Sequence, residues 1–227
     1  MRRVEGARFL GVWVDEGLAW TGHIERVRAK VGRLVGVMGR ASSVLGGRSL
    51  LSLYNGLVLP HLQYCLMVWG DFQACRNVTL AGSLLRYQKR LAGLISGRRG
   101  RYHSDPLFAQ HGMLKVGDLY RQQLRVHAWS FWNGRLPEGQ AAMLGRASGV
   151  HGYATRSARS GLYLSSRDHA AVGYRVPKEW AALTEAQRGM GSLAAFKRGS
   201  RVGFLAGYGA SGCREVGCVV CAGEGQL

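Results

Sequence analysis

Thirty-one of the 227 residues are Lys or Arg and thirteen are Asp or Glu, a net charge of +18. Five of the cations are lysines (30, 89, 115, 178 and 197) and the other 26 are arginines. A guanidinium grips a phosphate with two parallel hydrogen bonds and stacks on flat rings, whereas an ammonium is a point charge. An arginine excess of this size favours a polyanionic partner, nucleic acid first. A GC-rich coding bias would also trade Lys for Arg, and the 34 glycines fit that bias as well. The cations concentrate in the middle of the chain: residues 1–75 carry net +4, residues 76–150 net +9 and residues 151–227 net +5.

Other chemistries find less material. Two-metal phosphoryl transfer needs converging carboxylates. The chain has no Asp-Asp pair, and Asp15-Glu16 reads as a solvated turn. Asp71, Asp105 and Asp118 read as loop or cap residues. A phosphate loop ending in Lys-Ser/Thr and a Gly-x-Ser-x-Gly nucleophile elbow are both missing. The seven histidines are dispersed, none at helical spacing from another. Cys213, Cys218 and Cys221 are spaced C-x4-C-x2-C, and the last two have a zinc-knuckle gap. A fourth ligand would have to fold back from His151 or His169, so three thiols in a flexible tail is the default reading and metal is not expected. An odd cysteine count without framework spacing suits a reducing, intracellular setting, nucleus or cytoplasm.

The elements that would hold the cations can be read from periodicity. Thr21 reads as the N-cap of a helix on which Ile24, Val27, Val31, Leu34, Val35 and Met38 fall within an arc of about 100°. Arg26, Lys30, Arg33 and Arg40 cluster on the opposite side, and Glu25 is the only acid between Thr21 and Arg40. That face is either a nucleic-acid contact or a solvated surface. A second helix begins near Ser49, with Leu50, Leu51, Tyr54, Leu57 and Val58 on one face; Pro60 should end or kink it. Leu62–Trp69 reads as further buried helix and Gly70–Asn77 as a loop. Leu50–Trp69 has no charge over twenty residues, long enough to span a bilayer. Its Ser52, Asn55, Pro60, His61 and Gln63 favour core helices instead, so no membrane is expected. A third helix, about Thr79–Ser96, has a stripe of Leu80, Leu84, Tyr87, Leu91 and Leu94 and carries Arg86, Lys89 and Arg90. It runs into a basic turn, Arg98, Arg99 and Arg101, beside Tyr102. That turn reads as a phosphate clamp with a stacking ring, or as cations offsetting a helix dipole.

Further on, Ser104-Asp105-Pro106 opens a short helix closed by Gly112. Asp118 caps a helix from Leu119 to Asn133, which Gly134 and Pro137 end. "GLYLSS" and "AVGYRV" read as short strands. Pro177 starts a short helix, Ser192 caps the last one through about Leu205, and the tail is Gly-rich. Near the start, Phe9–Val14 reads as a strand apolar on both faces, which would need neighbours on both sides.

In sum, a mainly α fold is expected. Residues 1–20 would form a strand and turn, 21–145 a helical bundle, 146–206 a small α+β region, and 207–227 a flexible Gly/Cys tail.

Taken in order, five segments resemble the C-terminal part of reverse transcriptases from non-LTR (LINE-type) retrotransposons. "RFLGVWVDEGLAWTGHI" looks like the last palm motif leading into the thumb, and "LLSLYNGLVLPHLQYCLMVWG" like the thumb itself. "LLRYQKRLAGLI", "DPLFAQHGMLKVGDLY" and "YATRSA…VPKEWAAL…SLAAFKR" look like the stretches that follow. The resemblance covers about Arg8 to Leu205. It implies an RNA-directed DNA polymerase family whose catalytic aromatic-x-Asp-Asp motif does not occur in these residues. Fingers and palm, with the Mg2+ they hold, would be missing partners upstream, and the chain would be an inactive fragment with no cofactor of its own. The resemblance also implies that Phe9-Leu10-Gly11 sits near a primer terminus as a primer grip does. The thumb helices would hold an RNA or DNA template–primer by its backbone, which positions a duplex without reading its sequence. The alternative is a self-standing basic RNA-binding or interaction protein derived from such an element. An amphipathic membrane-binding role for the first helix ranks last, because that helix lacks Trp or Phe on its apolar face.

Overall fold

A computed structural model describes residues 6–73, 75–98, 100, 102–146, 161–163 and 172–209. The described chain is mainly helical with two small antiparallel two-stranded sheets. It divides into two compact units, residues 1–119 with 203–227, and residues 120–202.

The first unit opens with a hairpin, β1 (Gly6–Phe9) and β2 (Val12–Asp15), in which Phe9 pairs with Val12 and Arg8 with Trp13. Phe9–Val14 is therefore not one strand. Leu10 and Gly11 both have positive φ, the signature of a two-residue I′ connection. The chain reverses inside the apolar run because Gly11 accepts that conformation freely. Only Val12 of the run is buried, while Phe9 and Leu10 are 67% and 74% exposed at the tip.

Asp15 does more than sit in a solvated turn. Its carboxylate accepts the backbone N–H groups of Ala19 and Trp20, both at 2.8 Å, and sets the entry to helix α1 (Thr21–Ala41). Thr21 is not the cap: its hydroxyl donates to Asn77 Oδ1 at 3.0 Å, and Trp20 holds the cap position with φ of 61°. The expected apolar face is buried at Ile24, Val27, Val31, Val35 and Met38, with Leu34 half-buried.

Helix α2 (Gly47–Leu53) passes through a π-turn, Tyr54–Val58, into α3 (Leu59–Gln63). Leu50, Tyr54, Val58, Leu62 and Leu66 are all buried, each four residues from the next. In an α-helix that spacing drifts by about 40° per step. The wider π-turn, in which the Leu59 N–H reaches back to the Tyr54 carbonyl, takes up the drift. It also opens α3 with Pro60 in the first turn, where no donor is needed. Pro60 thus does not end the helical run, which continues to Gln63. Leu57, expected on the core face, is exposed. The buried helix expected over Leu62–Trp69 breaks at Tyr64 and Cys65, the latter at φ 50°, before a short α4 (Leu66–Trp69). No helix among the described residues is long and apolar enough to cross a membrane.

Helix α5 (Val78–Ile95) packs along α1, where Gly32 lets the Tyr87 ring approach; a Cβ at Gly32 would lie 3.1 Å from the Tyr87 hydroxyl. Its buried positions include Leu84, Leu91, Ala92 and Ile95, whereas Leu80, Tyr87 and Leu94 of the expected stripe are only half-buried. The unforeseen core residue is Gln88, with no exposed surface. Its Nε2 donates to the Tyr54 hydroxyl and the Leu114 carbonyl, both at 3.0 Å, and its Oε1 accepts the Val116 N–H at 2.8 Å. One amide thus joins α5, the π-turn and the loop after α6 (Asp105–Gln110).

Helix α7 (Val116–Trp132) starts three residues before the expected Leu119. Asp118 is inside its first turn rather than at its cap, and accepts the Tyr208 hydroxyl at 2.6 Å. Tyr208 is buried because α11 (Leu193–Gly209) runs past the expected end at Leu205. Burial, and then its bond to Asp118, raise the Tyr208 pKa far above the usual phenol range. Lys115 lies over the Tyr208 ring and pairs with Asp105 at 2.8 Å.

The second unit holds the remainder of α7, α8 (Glu138–Ala141), the pair β3 (Gly145–Arg146) and β4 (Leu162–Tyr163), α9 (Val172–Ala181), α10 (Glu185–Arg188) and the start of α11. "AVGYRV" contributes to α9, not to a strand, and Pro177 lies inside that helix rather than at its start. Val176, Pro177 and Trp180 are buried together, a one-sided helical pattern that outweighs the β-preference of valine and tyrosine. Glu179 accepts from Arg121 and Arg125 at 2.8 and 2.9 Å, and Trp129 stacks on Phe196. Ser192 caps α11 through the Ala195 N–H, as its position predicts.

Replacing Gln88 by Leu removes the partner of a buried carbonyl and a buried amide at once. Each such group left unsatisfied costs about 1–3 kcal/mol. Urea unfolding of Gln88→Leu should show a loss of about 3 kcal/mol; a loss under about 1 kcal/mol would mean the network is dispensable.

Candidate nucleic-acid interface

The basic face of α1 borders a cleft of ≈ 350 Å³ between that helix, the N-terminal hairpin and the end of α3. Arg8, Arg26, Lys30 and Arg33 line it together with Trp13, His61 and Tyr64, and among the described residues no Asp or Glu lines it. Four cations from two elements around one concavity produce a positive potential that their separate positions in the sequence do not.

Trp13 organises the hairpin side. Its ring lies over two glycines: a Cβ at Gly6 would be 2.8 Å from the indole Nε1, and one at Gly22 would be 3.2 Å from Cδ1. The Arg26 guanidinium sits 3.9 Å from the centre of that ring, and Arg26 Nη1 donates to the Gly22 carbonyl at 3.1 Å. At the other wall the Tyr64 hydroxyl donates to the Leu10 carbonyl and ties the hairpin tip to the end of α3. Phe9 and Leu10 thus project from an anchored tip, and Gly11 lines the cleft.

His23 closes the cleft from below. It is buried, accepts the Trp13 N–H through Nδ1 at 3.2 Å, and meets Trp69 edge-on at 5.4 Å between ring centres. Nδ1 must be unprotonated to accept that bond, and Nε2 has no protein partner. Burial, then Arg26 and then Lys30 push its pKa below the usual histidine value.

The remaining expected cations lie elsewhere. Arg40 is exposed two turns beyond Arg33 on α1 and does not line the cleft. On α5, Lys89 and Arg90 are exposed, as is Arg86, which donates to Ser83 Oγ at 2.8 Å. Arg98 is exposed just past that helix. Arg99 and Arg101 fall outside the described residues, as do Cys213, Cys218 and Cys221. Among the described residues no group of three or more His, Cys, Asp or Glu converges to hold a metal. Tyr102 is not an open stacking ring: it packs against Gly93 of α5 and donates to the Lys89 carbonyl at 3.1 Å.

Sequence reasoning missed Arg8, Trp13, His23, His61 and Tyr64. These residues sit on four separate elements, β1, β2, α1 and the end of α3, with no shared period. The one available signal was the Gly6/Gly22 pair flanking Trp13, which has meaning only once the hairpin is folded. Compared with protein-family models, with curated proteins and with solved structures, the chain matches none.

His23, His111 and His127 all have pKa values lowered mainly by burial. The unfolded chain therefore binds protons that the native chain refuses once the pH drops below the ordinary histidine value of about 6.5. Stability present at pH 7.5 should decline from pH 6.5 downward. The His23 ring signals in NMR should titrate with a midpoint below 6.5; a midpoint above it would contradict the geometry at Nδ1.

Proposed function

We propose that this chain is the thumb and following region of a non-LTR retrotransposon reverse transcriptase, a part that holds template–primer nucleic acid through its backbone rather than a part that catalyses. The observation that carries the reading is the acid-free cleft lined by Arg8, Arg26, Lys30 and Arg33 beside α1. The order of the five sequence segments supports it independently. Exposed Phe9 and Leu10 at an anchored hairpin tip suit a surface that abuts a primer end. The exposed cations Arg40, Lys89, Arg90 and Arg98 would supply further phosphate contacts, with Mg2+ left to a palm that holds the carboxylates.

Binding of this kind releases counterions. Filter binding of the chain to an RNA–DNA hybrid should weaken with salt at a log–log slope of several units, and Lys30→Ala with Arg33→Ala should lower that slope by about 2. A response flat in salt would rule the reading out.

One observation favours the second reading, a self-standing basic RNA-binding protein derived from such an element. β1 pairs with β2 along its whole length, and Val12 is already covered. On that reading the chain alone melts cooperatively and stays monomeric. Aggregation that disappears when a separate fingers–palm polypeptide is added would favour the first.

A further inference from the structure

We infer that Arg26 is a base-stacking platform and that, within a bound template–primer, the cleft takes an unpaired nucleotide of the single-stranded template end rather than a base-paired one. This rests on the nucleic-acid reading above and narrows it. Arg26 is exposed, yet it is not a free cation. Its guanidinium carbon lies over the Trp13 ring, 3.9 Å from the ring centre, and Nη1 is engaged by the Gly22 carbonyl. With part of its donor fork taken, it is poorly suited to a two-pronged phosphate grip. The indole covers the guanidinium on one side, and the residue is exposed and lines the cleft. A guanidinium plane held in this way offers an unstacked base a flat, positively charged surface, and the entropy of orienting the side chain is already spent.

Size and charge point the same way. A concavity of ≈ 350 Å³ is at the small end of ligand pockets and holds about one nucleotide, whereas a double helix is far wider. Lys30, Arg33 and Arg8 line the same cleft and would serve as phosphate partners for the strand whose base is stacked. Trp13 itself is shielded by Arg26, so the layer order is indole, guanidinium, base.

The test compares three probes of equal length by fluorescence anisotropy: a single-stranded oligonucleotide, an abasic deoxyribose-phosphate strand and a blunt duplex. The oligonucleotide should bind about tenfold or more tightly than the abasic strand, the usual yield of one base stack. Arg26→Lys keeps the charge and removes the plane. It should erase that preference, so that the oligonucleotide and the abasic strand bind alike, with a circular-dichroism melt confirming that the variant is folded. Lys30→Ala should weaken both single strands and lower their salt slope by about 0.7. Abasic and normal strands binding alike, a duplex matching the single strand, or Arg26→Lys retaining the full preference would each overturn the inference while leaving backbone binding intact. If none of the three probes binds, the nucleic-acid reading falls with it.

Discussion

The first unit is organised around one buried amide. Gln88 uses both ends of its side chain on three partners, the Tyr54 hydroxyl, the Leu114 carbonyl and the Val116 N–H, in a place with no exposed surface. A fully satisfied polar group in such surroundings specifies one arrangement, because every displaced alternative leaves a donor or acceptor dry. Here it fixes α5 against the π-turn and against the start of α7. α1 packs along α5 at the Gly32–Tyr87 approach, so its apolar arc faces inward and Arg26, Lys30 and Arg33 face outward. The basic cleft is a consequence of that packing.

The net charge of +18 divides into cations that are spent and cations that remain available. Arg121 and Arg125 converge on Glu179, and Lys115 on Asp105. Arg135, Arg146 and Arg188 lie over Trp129, Trp132 and Trp180 in the second unit. These arginines act as flat covers for aromatic rings as much as charges, the property that separates them from lysine. Arg26 on Trp13 belongs to the same pattern, with the difference that it lines a cleft holding three further cations and no acid. Net charge over a third of the chain therefore does not say how many of its cations are already paired or stacked. The middle third is the most basic by count, but much of that charge is paired or stacked.

Much of the fold was legible. Helices α1 and α5 follow from apolar residues at three- and four-residue spacing, α11 from the cap at Ser192, and the glycines at positions 112 and 134 end their helices with φ of 61° and 64° as position suggests. The errors share a cause. Phe9–Val14 gave an apolar run with a reversal in the middle, and a run of uniform hydropathy carries no mark of where it turns. "AVGYRV" has strand-forming residues but is helical because burial of Val176, Pro177 and Trp180 outweighs their local preference. Thr21 and Asp118 have good capping side chains, but each found a more distant partner, Asn77 and Tyr208 respectively. Sequence spacing cannot register a competitor 56 or 90 positions away.

The sequence by itself determined the helical character, the amphipathic division of α1 and the identity of three cations that line the cleft, Arg26, Lys30 and Arg33. Those properties depend on a 3.6-residue period and on side-chain chemistry, both local. Tertiary structure decided that Arg8 and His61 join those three, that Arg40 and the α5 cations do not, and that Arg26 is pinned on Trp13. Such facts depend on which elements come to lie side by side, and that is set by packing between residues far apart in the chain.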